Sequence, residues 1–295
     1  MKIRQNVLPV IAALIWGVAF VAQSVGADYV GAFTYNAVRF FIAAIALIPI
    51  IPLMRKLERS DDEESPDNKK DLIKGGIVCG VLIAAASNLQ QIGISDTAAG
   101  KAGFLTALYI ILVPLIGLFF GRKVSVRVWF CVILAIFGLY FLCVADSLSV
   151  GLPDVLLLSC SVIYAFHILA VDKYSANVNG VYLSLLQFVV AGIISAVFML
   201  IFETPSLSAL WQCRWSLLYV SVLSSGVGYT LQIIAQKGSN PTVVSLLLSL
   251  ESVFSVLAGA LILHETLSRR EYLGCFLMLC AVFLVQIPLK RRKAA

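Results

Sequence analysis

Residues 14–25, LIWGVAFVAQSV, fall on residues 162–173, VIYAFHILAVDK, when the chain is slid along itself by 148 positions, which pairs Trp16 with Tyr164. At the same offset AVRFFIAA (37–44) falls on LLQFVVAG (185–192) and Arg39 meets Gln187. An offset of 142 places Gln90 on Gln232, and one of 143 places GRKVSVRVW (121–129) on HETLSRREY (264–272), matching Ser125 to Ser268 and Arg127 to Arg270. The offset falls because the long polar loop after the second apolar run is replaced by a shorter one at 203–214. Each identity is weak evidence, but their order is preserved along the whole chain. The sequence therefore reads as a tandem duplication, with one repeat in 1–148 and the other in 149–295.

The solvent for both copies is lipid. Hydrophobic residues make up 60% of the 295 positions and charged ones 13%, and the mean hydropathy of +0.97 lies outside the range of soluble domains. Charge-free runs recur at 5–27, 40–54, 75–95, 102–121, 128–145, 155–171, 174–202, 215–236, 238–263 and 272–289. A bilayer core takes about 20 apolar residues per helix. The expected fold class is thus an all-α integral membrane protein of ten transmembrane helices, five per repeat. Five is odd, so the second copy enters the membrane upside down relative to the first, a ground plan of secondary transporters whose sites lie near the midplane.

The first run, preceded by Lys2 and Arg4, has the outline of a signal peptide, but its pattern returns at 162–173 and it reads as a retained helix. Of the 22 Lys and Arg, seventeen lie on one side if the N-terminus is cytoplasmic: Lys2, Arg4, six in the loop 55–74, Arg122, Lys123, Arg127, Lys173, Lys237 and the tail KRRK. The positive-inside bias then puts both termini in the cytoplasm and the chain in the plasma membrane. This orientation accounts for the net charge of +6 without nucleic acid. The loop RKLERSDDEESPDNKKDLIK (55–74) reads as a solvated cytoplasmic connector.

Enzyme signatures are scarce. HETLS (264–268) lacks the second His of a zinc helix, no GxSxG elbow occurs, and no P-loop is present to use ATP. The seven cysteines lie mostly within the apolar runs at spacings that suit neither a metal nor a disulfide framework. No cofactor is expected.

Chemistry concentrates in polar residues inside the spans. Glu251 interrupts LLLSLESVFSVLAGALILHETLS (246–268) about ten residues into its helix. At about 100° per residue, Ser245, Ser249, Glu251, Ser252, Ser255, Ala258 and Gly259 share one side, and Leu246, Leu250, Val253, Phe254, Leu257 and Leu261 the other. The small side is expected to face protein and the bulky side lipid. An intramembrane carboxylate is costly and marks function by default: it can carry a coupling proton or bind a cationic group. The plainer alternatives are a static partner for Arg39 and a helix-end hydrogen-bond acceptor. Arg39 and Lys101, near the outer ends of their spans, can hold an anionic group or snorkel to headgroups. Trp16, Asn36, Gln90, Tyr109, Gln187, Tyr229 and Gln232, with Asn88, Gln91, Tyr164 and His167, tie helices together or line one central cavity as a set. Gly-xxx-Gly spacings at Gly76/Gly80 and Gly117/Gly121 suit packing within the bundle as well as a homodimer.

The ten-span inverted duplication, with AALIWGVAFVAQ (12–23), AGFLTALYIILVPLIG (102–117) and LLSLESVFSVLAGALILHETLSRREYLGCFLMLCAVFLV (247–285), resembles the EamA-type branch of the drug/metabolite transporter superfamily. The resemblance covers nearly the whole chain. In that family the ninth helix often reads Leu-Glu-Pro before a Gly-Glu turn. Here Leu250, Glu251 and Ser252 stand in the first positions, so an expected kink is lost, and His264 with Glu265 stand in the second. In the first repeat Arg122 takes the place of Glu265. The resemblance implies a secondary active carrier working by alternating access, driven by protons or by exchange. It further implies an exporter of small metabolites such as amino acids or related compounds. The alternative class is a non-transporting membrane sensor or assembly scaffold, which predicts a dry, fully packed interior.

Overall fold

The computed structural model describes residues 3–58, 68–143, 151–262 and 268–287. These residues are helical throughout, joined by short turns. The first repeat holds α1 (Ile3–Ala27), α2 (Ala32–Glu58), α3 (Lys69–Ile94), α4 (Ala99–Ala107), α5 (Tyr109–Phe119) and α6 (Val126–Cys143). The second holds α7 (Leu152–Ser175), α8 (Gly180–Phe202), the short α9 (Leu207–Gln212), α10 (Arg214–Leu218), a π-helical stretch (Tyr219–Tyr229), α11 (Thr230–Gln236), α12 (Pro241–Leu248), α13 (Glu251–Ile262) and α14 (Arg269–Gln286). Three spans are composite: α4 with α5, α10 through α11, and α12 with α13. Counting these as single passes gives ten spans among the described residues, in two inverted sets of five. Eight are long and apolar enough to cross a membrane by length and composition, and Val126–Phe141 is a shorter apolar helix.

The repeats interleave. Among the described residues the most extensive interfaces are α3 with α7, α6 with α14, α2 with α8, α3 with α8, and α1 with α13, and every one joins one repeat to the other. Small residues permit the approach. A Cβ at Gly17 of α1 would stand 2.3 Å from Phe254 Cβ, and one at Gly76 of α3 2.3 Å from a Leu186 methyl. Gly80 abuts Val190 in the same way, so the Gly76/Gly80 pair packs inside the bundle. Gly121 instead makes a turn. At φ 73° it ends α5 in a left-handed conformation that lets Arg122 N–H reach Gly117 C=O, a geometry that costs glycine least.

Several expectations change. The second span begins at Ala32, eight residues before the charge-free run, because Arg39 lies inside the helix and is 1% exposed. The loop 55–74 is shorter than its polarity suggested: α2 continues to Glu58, and Asn68 caps α3 by accepting from the Lys70 and Asp71 N–H groups. Its centre, 59–67, lies outside the described residues, as do His264 and Glu265. The bulky side of the ninth span does not face lipid over its first half: Leu246, Leu250 and Val253 are buried and only Leu257 and Leu261 are exposed. The reason is position, since α12 and α13 pack against α1, α4, α5, α6 and α7. That span is also interrupted despite serine at 252. Leu250 N–H bonds Leu247 C=O and Ser252 N–H bonds Ser249 C=O, a three-residue tightening that bends the helix without proline.

Candidate functional site

The interruption of the ninth span has a counterpart in the fourth. Leu108 separates α4 from α5, and Ile111 N–H bonds Leu108 C=O in the same tightened pattern. At the offset of 142, Leu108 corresponds to Leu250 and Tyr109 to Glu251. Each therefore opens the second half of a broken helix, about 15 Å from the start of its span at 1.5 Å per residue. The two meet: Tyr109 Oη donates to Glu251 Oε1 at 2.9 Å, and both side chains are buried. Hydroxyls of the ninth span hold the neighbouring turn in place. Ser252 Oγ donates to Gly103 C=O and Ser255 Oγ to Ala99 C=O, which locks α13 to α4.

Around this pair lies an internal cavity of about 30 Å³, room for about two waters. Its lining repeats the duplication. Trp16 and Tyr164, Phe20 and Ile168, Gln90 and Gln232, Thr106 and Leu248, and Tyr109 and Glu251 are repeat-equivalent pairs, and every member lines it. Both repeats thus contribute matched positions to the cavity wall.

Arg39 closes one side and is held entirely by neutral dipoles. Its Nε donates to Ser225 Oγ at 2.6 Å, Nη1 to Gln23 Oε1 and Asn36 Oδ1, and Nη2 to Ser224 Oγ. Asn36 Nδ2 in turn bonds Ser87 C=O and Asn88 Oδ1, and Asn88 Nδ2 bonds Ser195 Oγ. The partners at 224 and 225 come from the π-helical stretch, where Trp16 Nε1 also donates to Ser224 C=O at 3.0 Å. Trp16 fits there because position 228 is glycine: a Cβ would stand 2.7 Å from its Nε1. Loosened helical segments of this kind recur at functional sites. The floor is a hydroxyl chain, with Ser87 Oγ 3.2 Å from Tyr164 Oη and Tyr164 Oη 2.9 Å from Tyr229 Oη.

Of the sequence candidates, Trp16, Arg39, Gln90, Tyr109, Tyr229, Gln232 and Glu251 converge on the cavity. Asn36 stands behind Arg39. Lys101 stands apart, paired with Asp154 at 2.7 Å and 40% exposed, and Gln187 bonds His167 at 3.0 Å on the far side of the tyrosines. Snorkelling does not describe Arg39, and Glu251 is not its static partner: no basic side chain among the described residues forms an ion pair with Glu251. Sequence reasoning missed Gln23, Thr106, Ser224 and Ser225. Gln23 was legible as a polar residue in span one, whereas intramembrane serine and threonine give no signal of their own.

Broken helices in both repeats around a buried polar cavity suit a membrane transporter. The chain belongs to the EamA-like transporter family, whose model matches residues 5–144 and 151–287. It is 30% identical over 283 residues to an uncharacterized transporter of Archaeoglobus fulgidus, covering 94% of this chain and 84% of that one. It is 24% identical to the uncharacterized transporter YoaV of Bacillus subtilis, covering 95% of this chain and 96% of the relative. A solved crystal structure shares the fold, with a TM-score of 0.77 at 17% identity over 97% of both chains.

Proposed function

We propose that this transporter is a secondary active carrier that exports small zwitterionic metabolites, amino acids or close relatives, by alternating access across the plasma membrane, with both termini cytoplasmic. The observation that carries the reading is the pairing of chemistry in one cavity. A buried guanidinium, Arg39, and a buried carboxyl, Glu251, both line it without forming an ion pair with each other. Intramembrane ionisable groups without a static partner mark substrate or ion pathways. Once its bonds to Gln23, Asn36, Ser224 and Ser225 are exchanged for cargo, Arg39 offers a planar fork to a carboxylate, and Glu251 offers an acceptor to an ammonium group or a seat for a coupling proton. Trp16, Phe20 and Tyr229 supply apolar and aromatic wall. Alternating access requires that cargo enter and leave as the interleaved repeats part.

The test is thermal stability of the purified protein against amino acids, nucleosides, organic cations and sugar phosphates, because a ligand that binds only the folded state raises apparent stability. A zwitterion that shifts the wild type, and shifts neither Glu251→Gln nor Arg39→Gln, supports the proposal. Stabilisation that survives both substitutions, or counterflow in proteoliposomes unchanged in Glu251→Gln, overturns the role given to these residues.

A further inference from the structure

From Gln232 in the cavity wall and on beyond the tyrosine floor, the bundle holds a further set of buried polar groups. His167 Nδ1, Gln187 Nε2, Ser184 Oγ, Gln232 Oε1, Gln236 Oε1 and Ser175 Oγ are each buried with no hydrogen-bonding partner in the protein. Such groups are rare, and each calls for an explanation. All six belong to α7, α8 and α11, which pack on one another or are tied by His167 with Gln187 and by Gln236 Nε2 to Ile168 C=O. Among the described residues of the first repeat, only Gln91 Oε1 shares their condition.

Their order along the helices is continuous. Gln232 lines the cavity. His167 lies three residues past Tyr164 and makes edge contacts with Tyr164 and Tyr229. Ser184 and Gln236 lie nearer the helix ends, and Ser175 closes α7 at the end that carries the N-terminus. From Tyr164 to Ser175 the helix rises about 16 Å, the remaining half of a bilayer core. The duplication supplies the opposite half: Gln187 corresponds to Arg39, Ser184 to Asn36 and Gln232 to Gln90. Arg39 and Asn36 are satisfied by a closed network, whereas Gln187 and Ser184 retain unpaired atoms. The His167–Gln187 pair exposes one donor and one acceptor whichever way the amide is turned, the pattern a water or a hydroxyl satisfies.

We infer that these groups line a neutral, water-accepting passage between the cavity and the N-terminal face, closed by the hydroxyl contact between Tyr164 and Tyr229, and that cargo crosses that half of the membrane through it. The inference rests on the carrier reading above. Polar groups left unpaired when the helices close are those that water and cargo engage when they part.

The test is cysteine accessibility in a background free of the native cysteines, using a membrane-impermeant methanethiosulfonate applied to either face of oriented vesicles. Ser184→Cys and Gln236→Cys report on the passage and Gln90→Cys on the cavity. The expected result is modification of positions 184 and 236 about tenfold faster from the N-terminal face than from the other, through a minor open population. A reactive cavity with 184 and 236 inert from both faces overturns the passage and leaves the carrier reading standing. Inertness at all three positions overturns both, and reaction at 184 and 236 with an inert cavity is the signature of a passage whose tyrosine gate stays shut. Gln236→Cys forfeits the bond to Ile168, so Ser184→Cys, nearly isosteric, decides the outcome if the other variant fails to fold.

Discussion

Removing the hydroxyl of Tyr109 tests whether the two broken helices are coupled through their side chains. The bond to Glu251 is 2.9 Å long, and the two residues are 3% and 4% exposed, so water cannot replace a lost donor. A neutral hydrogen bond is worth about 0.5–1.5 kcal/mol, and stranding a buried partner incurs a desolvation penalty of about 1–3 kcal/mol. Tyr109→Phe is therefore expected to destabilise the protein by about 2 kcal/mol. Glu251→Met removes the acceptor while keeping the length of the side chain, and it leaves the Tyr109 hydroxyl buried without a partner at a cost of about 1–3 kcal/mol. If the contact is direct, the two changes are not additive, and the double variant recovers about 1–2 kcal/mol of their sum. Reversible unfolding in mixed detergent micelles measures all four corners of the cycle. A coupling energy within about 0.3 kcal/mol of zero would show that the two side chains merely adjoin, and the account of a linked midplane pair would fail.

Three further outcomes follow from the geometry. Glu203 accepts from Phe33 N–H, Thr34 N–H and Thr34 Oγ1 at the start of α2, so Glu203→Ala is expected to cost about 0.5–2 kcal/mol as a lost helix cap. Chemical unfolding measures that cost, and ligand-induced thermal shifts should be unchanged. Gly76→Leu forces a side chain into Leu186 and should cost about 1–3 kcal/mol or more, visible as a lowered melting temperature. Gly117→Ala, whose Cβ would have 3.5 Å of clearance to Arg122, should leave that temperature unchanged. Lys101→Met strands the Asp154 carboxylate, whose side chain is 8% exposed and keeps only the Gly151 N–H as a partner, so its stability cost should be about 1–3 kcal/mol. Uptake assays should show transport retained, and abolished transport would return Lys101 to the site.

The spans were legible because bilayer thickness writes itself into the length of apolar runs, and the inversion followed from an odd number of runs in each copy. The charge-free run is shorter than the second helix because Arg39, read as lying near the outer end of that span, sits inside the helix, and part of its compensation comes from Ser224 and Ser225, nearly two hundred positions away. Lipid-facing assignments failed for Leu246, Leu250 and Val253 because periodicity sorts a helix into two faces, whereas the ninth span is enclosed on more than one. The convergence of Gln90, Gln232, Tyr109 and Glu251 was readable only as a set, through the repeat. The contact between Tyr109 and Glu251 was not, since an offset equates positions without saying that they touch. Proline is the usual sign of a bent membrane helix, so serine at 252 concealed the break that brings them together.

The interleaving of the repeats sets a schedule for synthesis. Arg39 is separated by 186 residues from the hydroxyl that its Nε requires, and Asn88 by 107 from Ser195. At about 5–20 residues per second, the ribosome takes about 10–40 s to deliver Ser225 after Arg39 has been made. Until then the first repeat lacks the two hydroxyls of the second that bind its most costly side chain. The nascent half thus holds its guanidinium by Gln23 and Asn36 alone, and a chain stalled between the repeats would keep a buried charge only partly satisfied.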